Sequence, residues 1–128
     1  MMRSPSKSGG FALLEVMVSV LILAFGLIGL AGLQARAISL SSDAQDRNHA
    51  ALLANELASA MWVAGAPTVD TATLAAWQAK VQGALPAGQG VYASVPADNS
   101  ASISITWKAP TRPTAEAPSH YETRVVMP

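Results

Sequence analysis

The spacing of apolar side chains changes twice along this chain and divides it into three parts. Residues 11–33 form a run of 23 positions whose only ionisable side chain is Glu15. Coiled as a helix, the run is about 34 Å long at 1.5 Å per residue, enough to cross a hydrocarbon layer about 30 Å thick. Residues 34–62 hold no proline or glycine. Leu53, Leu57 and Met61 recur there at four-residue spacing, with Ala50, Ala54 and Ala58 alongside. This is the apolar stripe of an amphipathic helix that continues the first. Ahead of the stripe, Asp43, Asp46 and Arg47 suit a solvated face, and Gly65 and Pro67 supply a stop. A second, shorter helix is predicted over 73–85, with Leu74, Trp77, Val81 and Leu85 on one face and Pro86 closing it. From there the period is two. Residues 102–108 alternate strictly and put Ile103, Ile105 and Trp107 on one side. Val91, Ala93 and Val95 mark a weaker strand, and Tyr121, Thr123, Val125 and Met127 another. Residues 109–119, with Pro110, Pro113 and Pro118, form the loop between the last two. The predicted fold is α+β: a long N-terminal helix whose second half covers a small antiparallel sheet.

Charge adds an orientation. The formal net charge is zero, which gives no reason to expect nucleic acid as a partner. Arg3 and Lys7 precede the apolar run with no acid beside them. The positive-inside rule keeps that flank cytoplasmic and sends Gln34 onward to the far side of the membrane. Ala35-Arg36-Ala37 satisfies the A-x-A pattern of an ordinary secretory signal. The apolar run is too long for such a signal, however, and an arginine sits inside the cleavage pattern. Absent cysteine excludes disulfides, thiolate nucleophiles and cysteine zinc sites. His49 and His120 are far apart and read as surface residues. Asp43, Asp46 and Asp98 lack the spacing of a calcium loop. Trp62, Trp77 and Trp107 read as core anchors. No catalytic, metal or cofactor motif occurs, so the chain is read as a non-enzyme without cofactors.

Glu15 is the informative residue. A carboxylate inside an apolar helix costs on the order of 2–3 kcal/mol on insertion scales, and no basic residue lies between Lys7 and Arg36 to offset it. Either Glu15 sits near enough to the membrane face to stay hydrated, or its partner belongs to another molecule. Gly26, Gly29 and Gly32 admit two readings as well: close helix packing, or the ordinary tolerance of membrane helices for glycine.

Gly10-Phe11-Ala12-Leu13-Leu14-Glu15-Val16, behind a short basic leader, resembles the class III signal of type IV prepilins and type II secretion pseudopilins. The resemblance implies that a membrane prepilin peptidase cuts between Gly10 and Phe11 and methylates the new amino group of Phe11. It also implies that Glu15, the fifth residue of the mature chain, is an assembly contact. Cleavage there creates an amine with a pKa near about 7.7–8.0, largely protonated at neutral pH, and such a cation in one subunit suits Glu15 of its neighbour. More narrowly, Gly29-Leu30-Ala31-Gly32-Leu33-Gln34-Ala35, the helix over 51–61, the second helix and the Ile103 strand resemble PilV-type minor pilins. The implied organisation is a leader over 1–10, a transmembrane spine over 11–33, its amphipathic continuation over 34–62 and a periplasmic α+β pilin domain over 63–128. The implied partners are other pilin subunits, the peptidase and the pilus assembly machinery of the inner membrane. A type II secretion pseudopilin shares the same N-terminal physics. A signal-anchored periplasmic binding domain does not account for Glu15.

Overall fold

The computed structural model describes residues 9–128; Arg3 and Lys7, the basic part of the expected leader, lie outside the described residues. The described chain is a long helix α1 (Gly9–Ala64), a second helix α2 (Thr71–Ala84), and strands β1 (Gln89–Val95), β2 (Ser100–Trp107) and β3 (Ser119–Val126). A single 3-10 turn, Pro96–Asp98, joins the first two strands. The architecture is α+β, as the hydrophobic pattern predicts, and pilin-like, as the resemblance implies. Two compact units divide the chain, Met1–Ser41 and Ser42–Pro128, and α1 contributes to both.

In the first unit, every side chain over residues 10–41 is exposed. A helix apolar on all sides belongs in lipid or among other helices rather than in water, and α1 is long and apolar enough to cross a membrane. Gly26, Gly29 and Gly32 do not break it, and a methyl group at any of them would meet nothing.

The second unit packs one face of α1 against an antiparallel sheet in the order β1-β2-β3. Its core joins Ala50, Ala54, Leu57 and Met61 of α1 to Trp77 and Val81 of α2, to Ala101, Ile103, Ile105 and Trp107 of β2, and to Val125 and Met127. Leu53 and Ala58 flank it half-buried. The stripe expected on the helix and the inward face expected for β2 are therefore both present. Helix α1 stops where Gly65 enters the left-handed region (φ +68°), a conformation glycine adopts without the Cβ penalty. Helix α2 starts two residues earlier than the apolar pattern predicts, because Asp70 caps it.

One expectation needs correction. Trp62 is not a core anchor: it is 54% exposed, beside the 90% exposed Val63. One position past Met61, it is turned about 100° around the helix from the buried stripe. The weaker strand forms, but its valines point outward. Register pairs Gly90 with Ile105 and Tyr92 with Ile103, so Gly90 and Tyr92 share the core side while Val91 and Val95 face away. The cause is Trp77, which occupies the space above Gly90: a Cβ there would lie 2.5 Å from its ring. Trp77 Nε1 donates to the Leu53 carbonyl at 2.8 Å, fixing the ring between α1 and β1.

Candidate functional site

The residues singled out for processing and assembly sit at the start of α1. Gly10 and Phe11 are in its first turn, where the backbone N–H groups have no intrahelical partner and the end frays most easily. Phe11 is 79% exposed. Glu15 follows at i+4, so both lie on one side of the helix. Phe11, Leu14, Glu15, Val18 and Ser19 line one shallow strip along that side. Ser19 escaped the sequence reading, although its four-residue step from Glu15 places it on the same strip. It adds a hydroxyl one turn beyond the carboxylate. Among the described residues, no cation lies within ion-pair distance of Glu15.

The strip therefore offers an apolar ridge with one carboxylate, and it brings Phe11, Glu15 and Ser19 together. No pocket for a small substrate is built there, because every wall belongs to the same helix. The arrangement can match a second helix that carries a complementary charge.

The polar groups of the second unit serve its own fold. Arg112 is the pivot of the proline-rich loop. Its Nη1 donates to Ser119 Oγ at 2.8 Å, and Nη2 reaches Asp43 Oδ2 of α1 at 3.4 Å. Lys108 Nζ donates to the carbonyls of Thr114 and Glu116, both at 2.8 Å. Asp43, read from sequence as a solvated residue, is thus half-buried against the loop. No local signal reveals the Asp43–Arg112 contact, since the partners are 69 residues apart. His49 and His120 are exposed, as expected.

Residues 5–31 match the family described as the prokaryotic N-terminal methylation motif. The match spans 27 of the 128 residues and encloses Gly10, Phe11 and Glu15. It supports a type IV pilin-like N-terminal signal and bears on that segment alone. A prepilin-type motif on a single apolar helix fits a protein anchored in the inner membrane. No curated protein and no solved structure matches the chain.

Proposed function

We propose that the chain is a minor pilin of a type IV pilus, a structural subunit that primes or joins filament assembly at the inner membrane. The observation that carries this reading is Glu15, the only ionisable side chain in the 23-residue run over 11–33 and enclosed by the methylation motif. In this reading residues 1–10 are a leader removed by cleavage between Gly10 and Phe11, and Phe11 then carries the methylated amine. Residues 11–33 span the membrane, 34–62 continue the helix, and 63–128 form a periplasmic domain, with the N-terminus cytoplasmic. The amine of one subunit pairs with Glu15 of the next. The PilV-type subgroup rests on the softer likeness of the helices and of the Ile103 strand.

The charge pair gives the reading an internal test. Removing the charge eases membrane insertion, because a lone carboxylate is unfavourable there. It also leaves the partner amine unpaired in apolar surroundings, which opposes assembly. In a host with prepilin peptidase, intact mass is expected to show a chain beginning at Phe11 with one added methyl. Glu15→Leu is expected to be processed and membrane-resident yet depleted from sheared pili, with Glu15→Asp intermediate. Equal incorporation of Glu15→Leu and wild type would refute the charge pair. A mature chain beginning at Ile38 would refute the pilin reading altogether. Normal processing combined with incorporation only into a secretion filament would identify a pseudopilin instead.

A further inference from the structure

Glu15 and Ser19 are the only polar side chains in the run over 11–33, and they stand one helical step apart. Four residues advance an α-helix by about 6 Å and turn it by about 40°. The same arithmetic puts Ile22 and Gly26 on that side too, with all four residues inside a sector about 60° wide. All four are exposed. A Cβ at Gly26 would meet nothing in its own chain. Among the described residues the Ser19 hydroxyl makes no hydrogen bond.

The register of a neighbouring helix follows from the charge pair. An amine on Phe11 comes level with Glu15 of a parallel helix only when the second helix is displaced by four residues, about 6 Å. Every residue of the displaced copy then lies opposite a residue numbered four higher. Its Glu15 meets Ser19, and its Ile22 meets Gly26. The slide thus matches amine to carboxylate, carboxylate to hydroxyl, and a branched side chain to a glycine notch that lets helices approach closely. Two copies held level would instead set Glu15 beside Glu15, where like charges repel, and Gly26 beside Gly26, where notch faces notch. We propose that Ser19 donates its hydroxyl to the Glu15 carboxylate of a second copy of this chain, displaced by four residues. The inference rests on the reading that Phe11 bears a free amine paired with Glu15 of the next subunit, and it adds the other half of that contact. A carboxylate has two accepting oxygens, so each Glu15 takes the amine of one neighbour and the Ser19 hydroxyl of the other. Hydrogen bonds to a charged acceptor are stronger than neutral ones, and a head-to-tail contact of this kind repeats from copy to copy.

The chain has no cysteine, so an introduced disulfide reports one contact. The full chain is processed in a host with prepilin peptidase and returned to phospholipid vesicles as two variants, Ile22→Cys and Gly26→Cys. A disulfide needs Cα atoms within about 7 Å. On oxidation the mixture is expected to give a disulfide dimer that neither variant gives alone. In the Gly26→Cys copy the Ser19 hydroxyl faces the other copy's Glu15. Ser19→Ala in that copy is expected to lower the dimer about three- to tenfold, and Ser19→Thr, which keeps the hydroxyl, to restore it. Ser19→Ala in the Ile22→Cys copy is expected to leave the dimer unchanged. A serine that only bonds the carbonyl four residues back in its own helix would act equally from either copy or from neither, and either result overturns the proposal. Dimers formed by one variant alone overturn it in favour of level packing. Absence of a dimer from the mixture overturns it in favour of a different subunit as the neighbour. Glu15→Leu in the Gly26→Cys copy reports on the amine pair separately. An undiminished dimer there refutes that pair, while the Ser19 variants decide the hydroxyl contact by themselves.

Discussion

At the scale of single residues, the two buried tryptophans make opposite bargains with their ring N–H. Trp77 is satisfied by the Leu53 carbonyl, whereas Trp107, 2% exposed, leaves Nε1 without a hydrogen-bond partner. A buried donor with no partner costs about 1–3 kcal/mol. Trp107→Phe exchanges lost contact area for the removal of that cost and is expected to change stability by less than about 1.5 kcal/mol. Trp107→Ala leaves a cavity and is expected to cost about 3–5 kcal/mol. Chemical unfolding of residues 34–128 followed by circular dichroism checks both, and equal losses for the two variants would remove the unpaired donor from the account. Gly90→Ala tests the neighbouring ring: its methyl group meets Trp77 at 2.5 Å, and overpacking of this kind costs about 1–3 kcal/mol. The inward face of β2 was legible because Ile103, Ile105 and Trp107 alternate without interruption. That of β1 was not, because its inward positions include a glycine. Only the distant Trp77 explains why a residue with no side chain sits over the core.

Among the elements, α2 carries the clearest dependence on pH. The Thr73 hydroxyl donates to Asp70 Oδ1 at 2.6 Å and the Thr73 N–H to Oδ2 at 2.9 Å. The hydroxyl contact first, then the backbone one, holds the Asp70 carboxyl below its ordinary value. A depressed folded-state pKa means that the cap contributes fully above the unfolded carboxylate value, about pH 4, and fades as pH falls through the lower folded one. Asp70→Asn retains a capping side chain. It is therefore expected to stay close to wild type at pH 7 and to flatten the loss of stability below about pH 4, as measured by thermal melts across that range. An unchanged acid slope would show that the cap titrates with no linkage to folding. The body of α2 was readable from Leu74, Trp77, Val81 and Leu85, but its start was not, since Asp70 precedes the apolar period and announces itself only by chemistry. In α1 the stripe was readable, while Trp62 misled because residue type was given more weight than its angle around the helix.

On the scale of the whole molecule, the chain places its apolar surface long before the surface that covers it. The face of α1 formed by Ala50, Ala54, Leu57 and Met61 meets Ile103, Ile105, Trp107 and Val125, so a ribosome makes about 40 further residues after Met61 before the first isoleucine of β2 exists. At about 5–20 residues per second, that delay is roughly 2–8 s. During it the nascent chain has a completed helix with an uncovered greasy side and no sheet to receive it. The hairpin of β1 and β2, closed by one short turn, is the first tertiary unit that can form locally. Stalled chains ending before Ser100 are expected to be cut rapidly by protease within residues 50–61, and chains carried past Val126 to resist. The two alanines in that helix face then have a second meaning. Small side chains make a modest target for chaperones and for mistaken partners throughout the interval when the helix waits for its sheet.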